Sequence, residues 1–179
     1  MDIIKKEIPT AFLKTLPQGM KFISQGGSEF LVVEELLCPN GHNLITDTVH
    51  IHGEPSIKLN VKLNNCDGVL FLDSFWGSHT KLYSFIPNNY HSVEIIDILC
   101  PICEKSILIR EVCTEEGCNS EKMVQMLLPG KKNRILACAR FGCPGHRIEI
   151  NNISSSIAKK VSTINYFGIG FDDDVFKGV

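Results

Sequence analysis

Residues 100–146 constrain this chain more than any other stretch. They read CPICEKSILIREVCTEEGCNSEKMVQMLLPGKKNRILACARFGCPGH and hold six of the eight cysteines. These fall in three close pairs: Cys100/Cys103, Cys113/Cys118 and Cys138/Cys143. A fourth pair-like element lies upstream at Cys38-Pro39-Asn40-Gly41-His42. Cysteines spaced this way serve as disulfides, redox centres or metal ligands, and the compartment decides among them.

The first residues, MDIIKKE, are mixed in charge and no apolar signal segment follows. No apolar run approaches the ~20 residues a spanning helix needs. These features place the protein in the cytoplasm, with no membrane partner. In a reducing compartment, paired cysteines bind metal or do redox work more often than they form staples. A C-x2-C pair also makes a strained, labile disulfide.

The chain order gives a mostly β protein, an antiparallel β meander inserted between zinc knuckles plus a zinc-bound hairpin. Residues 1–37 read as an N-terminal arm and first strand. Within them Ile8–Leu16 suits a short helix starting near Pro9 or Thr10, and residues 30–37 a strand. Residues 38–112 read as a β-meander domain carrying the first knuckle pair. Alternation of apolar and polar residues over 57–64 marks a half-buried strand. Asp67-Gly68 is a hairpin signal. Further strands are expected at 69–76, 81–86 (closed by Pro87-Asn88-Asn89) and 93–99. Residues 113–150 read as a second knuckle–hairpin module, with strands at 122–128 and 134–137 around Pro129-Gly130. Residues 151–179 read as a linker, Asn151–Ser156, followed by an aromatic, acidic docking tail, Tyr166–Phe176.

Cys113-Thr-Glu-Glu-Gly-Cys118 and Cys138-Ala-Arg-Phe-Gly-Cys143 share one form, C-x3-G-C. Tetrahedral zinc takes two thiolates from one turn at ~2.3 Å, with the backbone curling around the sulfurs. Glycine before the second cysteine is expected to relieve crowding there. Two such turns at the ends of a hairpin complete one four-ligand site. Cys38, His42, Cys100 and Cys103 then form another, both of its knuckles beginning Cys-Pro. Cys66 is left over, and His146 is an alternative ligand to Cys143. A rival pairing joins Cys100, Cys103, Cys113 and Cys118, leaving Cys38 and His42 to Cys138 with Cys143 or His146. Histidine among the ligands and widely separated pairs point to two zinc ions, with an iron-sulfur cluster as the alternative.

The paired Cys-Pro knuckles resemble the zinc-ribbon and treble-clef proteins over residues 38–42 and 100–146. The order strand, knuckle, β insertion, knuckle, strand also resembles small zinc-bearing subunits of bacterial enzyme complexes, such as the acetone carboxylase gamma subunit. This chain departs from that pattern in placing Asn40-Gly41 where a Cys-Gly turn is expected, and in its second site. The resemblance implies a non-catalytic subunit.

Four protein ligands at each site leave no open position for water, so no catalytic residue is assigned. His50 and His52 flank Ile51 and would share a strand face, read as solvated. Cys66 reads as a buried, inert turn cysteine. Asp73, Trp76, His79 and His91 could line a pocket, although Phe75 and Trp76 read as core. The run Asp172–Asp174 reads as a solvated acidic turn. With a net charge of -2 and a pI near 6.3, the whole chain has no drive towards nucleic acid. Residues 100–150 nonetheless hold eight basic against six acidic residues, whereas residues 1–99 hold seven against eleven. Lys131, Lys132 and Arg134 are therefore the nucleic-acid-binding candidates. The expected role is an interaction or scaffold subunit of a larger complex, docked to a protein partner through the C-terminal tail. Nucleic-acid binding and an iron-sulfur or redox accessory role are the alternatives.

Overall fold

Apolar residues at every second position make strands, and here they make antiparallel sheets throughout. The chain, seen as a computed structural model, is described over residues 8–25, 28–64, 66–78, 80–85 and 94–164. It is mostly β, with eleven strands and two short helices among those residues. The expected docking tail beyond residue 164, the turn Pro87-Asn88-Asn89, Val93, His79 and His91 lie outside them.

Helix α1 (Thr10–Lys14) begins after Pro9 and buries Phe12 completely. Strands β1 (Met20–Gln25) and β2 (Ser28–Val33) form a two-stranded hairpin. Strand β2 ends four residues short of the expected Leu37. Leu37 instead exchanges two backbone hydrogen bonds with Leu127, at 2.7 and 2.8 Å. The knuckle residue Cys38 is thereby tied to the C-terminal half of the chain.

The five-stranded sheet contains β3 (Ile45–Ile51), β4 (Glu54–Leu63), β5 (Asp67–Leu72), β6 (Lys81–Tyr83) and β7 (Ile95–Leu99). Strand β4 is its axis. Its Ile57, Leu59 and Val61 alternate into the core at 4, 0 and 0 % exposure, as the period-two pattern requires. The sheet departs from a simple meander in one respect. Strand β7 does not lie beside β6 but pairs with the C-terminal half of β4, on the edge that β3 occupies further along. Strand β3 was not expected, because Thr46-Asp47-Thr48 interrupts its apolar pattern. Its register with β4 shifts between Thr46 and His50.

The four-stranded sheet runs β11 (His146–Glu149), β10 (Arg134–Cys138), β9 (Lys122–Leu127), β8 (Leu108–Arg110). Strand β10 is buried on both faces. Ile135 and Ala137 join the main core, while Leu136 and Cys138 join a small separate cluster with Met123, Cys113 and Cys143. The main core is continuous from Phe12 through Leu59 and Val124 to Ile164.

The expected linker at 151–156 runs into a helix, α2 (Ser155–Ser162). The hydroxyl of its N-cap, Ser154, accepts from Ile157 N. Val161 and Ile164 are buried at 0 and 1 % exposure, and the Trp76 indole donates to Val161 O at 2.7 Å. The serines that read as linker composition are here a cap and an exposed helix face. No helix among the described residues is long and apolar enough to cross a membrane.

Leu59 sits on the central strand with no exposed surface. Truncation to Ala is expected to destabilise the fold by about 2–5 kcal/mol. Ile96→Ala, at a position 50 % exposed, should change stability by under about 0.5 kcal/mol. Chemical denaturation of the two variants measures both values.

Candidate metal centres

Two groups of side chains converge so that all four ligand atoms in each lie within 4.8 Å of one another. The first is Cys38, His42, Cys100 and Cys103; the second is Cys113, Cys118, Cys138 and Cys143. Each group could hold a metal ion. His146 is in neither. Its Nδ1 lies 2.9 Å from Pro144 O, and its ring packs edge-on against Trp76.

All eight cysteines are free. The Sγ–Sγ separations are 3.9 Å for Cys38–Cys103 and 3.8 Å for both Cys113–Cys143 and Cys118–Cys138. A disulfide requires about 2.05 Å. Four ligands placed tetrahedrally at ~2.3 Å from one ion would put sulfurs roughly 3.8 Å apart, and a sulfur roughly 3.6 Å from an imidazole nitrogen. His42 Nδ1 lies 3.5 Å from Cys38 Sγ. The donor sets therefore match one tetrahedral ion each in both chemistry and spacing.

The first group is assembled from distant pieces. Cys38 follows Leu37, which is held by Leu127, and the turn closes through Gly41 N to Cys38 O and Cys38 N to His42 O, both 2.9 Å. Cys100 and Cys103 follow β7 in a turn closed by Glu104 N to Cys100 O and Cys100 N to Lys105 O. Gly41 occupies the left-handed region at φ +88°, and Glu104 does so without being glycine, at φ +57°. The Asn40 amide donates to Cys103 Sγ at 3.4 Å, bridging the two turns.

The second group is a structural repeat. Cys113 N and Cys138 N each donate to the carbonyl seven residues on, in Ser120 and Gly145. Cys118 N and Cys143 N each donate three residues back, to Glu115 and Arg140. The sulfurs also accept from the backbone two residues on: Glu115 N to Cys113, Arg140 N to Cys138 and Gly145 N to Cys143, at 3.3–3.5 Å. Donors aimed at sulfur favour thiolate, the form that binds metal.

The acidities follow from these surroundings. Burial pushes the Cys100 thiol up, Cys113 to about 11 and Cys143 higher still. Cys103 is brought down to about 6, chiefly by the Lys105 backbone N–H, with Asn40 and His42 contributing. Burial raises Cys118, but the Ser120 backbone N–H and the neighbouring thiols outweigh it and bring it to about 7.

The glycine before the second cysteine does not relieve crowding as the sequence suggested. A Cβ at Gly117 or Gly142 would meet nothing within 4 Å; both residues are glycine because their φ is +78° and +75°. The crowded glycine is Gly145, which sequence reasoning missed. A Cβ there would lie 2.5 Å from Cys113 Sγ and 3.4 Å from Cys143 Sγ.

Other candidates fall outside both groups. Cys66 is exposed. His50 lies on β3, 4.0 Å from Asp47, whereas His52 sits in the following turn at φ +52°, its Nδ1 2.5 Å from the buried Asp73 carboxylate. The two histidines therefore do not share a strand face. Asp73 and Trp76 line a cavity of about 60 Å³ between the sheets. Burial raises the Asp73 pKa, opposed by hydrogen bonds from Ser78, Phe75 and His52.

Arg134 is not at a free basic tip. Its guanidinium pairs with Glu149 at 2.5 Å and Glu111 at 2.9 Å, and Arg147 bonds the same two carboxylates. Lys131 Nζ donates to Pro39 O at 3.1 Å, and Lys132 is exposed.

No family model, no curated protein and no solved structure matches the chain. The likeness to zinc-ribbon and treble-clef proteins rests on the two Cys/His groups and their turns, and the likeness to acetone carboxylase gamma subunits gains nothing from the comparisons.

Gly145→Ala is expected to remove one of two equivalents of bound metal. Gly117→Ala, whose Cβ points into open space, should keep both and lose roughly 1–2 kcal/mol of stability from the left-handed backbone. Elemental analysis beside thermal unfolding separates the two outcomes.

Proposed function

We propose that this is a zinc-binding protein with two structural metal sites that serves as an interaction or scaffold subunit of a larger assembly. The observation carrying this reading is that each of two groups brings four protein ligands within 4.8 Å. Four protein ligands fill a tetrahedral shell, the pattern of structural rather than catalytic zinc. Cys38, His42, Cys100 and Cys103 would hold one ion, and Cys113, Cys118, Cys138 and Cys143 the other. When bound, the ions supply folding free energy and fix the geometry of four loops.

Two features favour zinc over an iron-sulfur cluster. One is the histidine in the first group. The other is the spacing, since the four cysteine sulfurs of a cuboidal cluster each bind a different iron and stand further apart than sulfurs around one ion. The scaffold role is supported by exposed apolar residues near the sites, Ile102 at 60 % and Val112 at 63 % exposure. The proposed docking element remains the C-terminal tail, and removing residues 166–176, which leaves the core residue Ile164 in place, should release a co-purifying partner. Nucleic-acid binding draws less support, because Arg134 is neutralised by Glu111 and Glu149.

Protein purified without oxygen should contain about two zinc ions per chain and no visible absorption. Iron with a sulfur-to-iron charge-transfer band would overturn the zinc assignment. Cys103→Ser and Cys118→Ser should each lose one equivalent. Metal binding displaces thiol protons, so affinity must rise with pH. Acidification should therefore release zinc and lower the unfolding temperature, whereas a chelator-insensitive, metal-free fold would contradict the account.

A further inference from the structure

The two groups differ in charge. Three thiolates, a neutral imidazole and a divalent ion sum to -1, whereas four thiolates and the same ion sum to -2. The more negative group also has more of its ligands buried, Cys113, Cys138 and Cys143 against Cys38 and Cys100 in the first group. Surplus negative charge held away from water needs a nearby cation.

Strand β6 supplies one. Lys81 reaches across from the five-stranded sheet, and its Nζ donates to Cys138 O at 3.2 Å and Cys143 O at 2.6 Å. These are the backbone carbonyls of two of the four ligands. Two residues on, the Tyr83 hydroxyl accepts from Gly142 N at 3.4 Å, and its ring packs against Phe141 at 4.5 Å between centroids. A three-residue edge strand thus grips the Cys138–Cys143 turn with three hydrogen bonds and one ring contact. Arg140, within the same turn, is exposed.

We propose that Lys81 is the counter-cation and positioning residue of the four-cysteine site, and that it sets how firmly that site keeps its ion. The ammonium offsets the surplus negative charge and holds two ligand carbonyls in the orientation that aims their sulfurs inwards. The first site, with less charge and a half-buried Cys103, has the Asn40 amide on Cys103 Sγ, and its neighbouring cation, Lys131, donates to Pro39 O rather than to a ligand's carbonyl. The inference rests on the second group holding a zinc ion, as proposed above.

The test is metal transfer from the full zinc-loaded chain to a chromogenic chelator. The phase missing from Cys118→Ser identifies release from the second site. Lys81→Met keeps the aliphatic stem and removes the charge; it should speed that phase by about tenfold or more, the scale of outer-shell effects on metal sites. Release from the first site should stay unchanged, and Lys81→Arg should restore slow release. Should Lys81→Met fail to fold, Lys81→Gln carries the same expectation, since it keeps a donor but no charge. Wild-type rates in a folded, charge-free variant overturn the inference while leaving the zinc reading intact. Equal acceleration of both phases overturns it too, because that is general loosening. A wild-type chain without the second equivalent of zinc overturns both.

Discussion

Four sulfurs cannot be packed 3.8 Å apart in a dry pocket without something to hold them there. As thiols they make weak hydrogen bonds and little else. As thiolates they repel, and burying several unpaired anions costs more than a small β protein can supply. Cys113, Cys138 and Cys143 are buried, and backbone N–H groups already point at their sulfurs. A divalent cation at the centre would turn that repulsion into attraction. The two groups stand at corners between short sheets, and an ion in each would draw those corners together.

The positions of the corners show what is being held. The first group joins Cys38 to Cys103, 65 residues apart, and so fastens the turn after residue 37 to the end of β7. The second closes the hairpin of β9 and β10 at its open end and faces the side of β10 that the main core does not use. Strand β10 can be apolar on both faces because a second small core, built around the sulfurs, covers the other one. The cysteines of the first group pack with the main core, and those of the second with the small separate cluster. Leu37 ties the turn of the first group to β9 through its bonds to Leu127.

Much of this was legible in the residues, for identifiable reasons. Ligand spacing is a local property, so the C-x3-G-C repeat showed in one dimension what its paired hydrogen bonds show in three. The alternation of Ile57, Leu59 and Val61 is equally local. What escaped was non-local or ambiguous. The return of β7 to the far edge of β4 depends on pairing across some thirty residues that no turn signal specifies. Helix α2 was hidden because serine serves both linkers and N-caps, and only the spacing of Ile157, Val161 and Ile164 betrays an apolar face. Gly145 was missed because its partner is a sulfur 32 residues away, and Arg134 was misjudged because Glu111 and Glu149 come to it through sheet register.

That register has a consequence for charge. Arg134 and Arg147 sit on adjacent strands, β10 and β11, and share Glu111 and Glu149 between them. Burial raises the Glu149 carboxyl, but the two guanidiniums outweigh it and hold it below the usual range, so the pairs stay ionised at neutral pH. Two of the eight basic residues in 100–150 are thereby spent inside the protein, and Lys81, counted with the acidic half, is turned inwards onto the second group. The local excess of positive charge read from sequence is a sum over residues, while a phosphate responds to the field at the surface. With these cations engaged by carboxylates and cysteine carbonyls, the charges of this domain hold its corners in place.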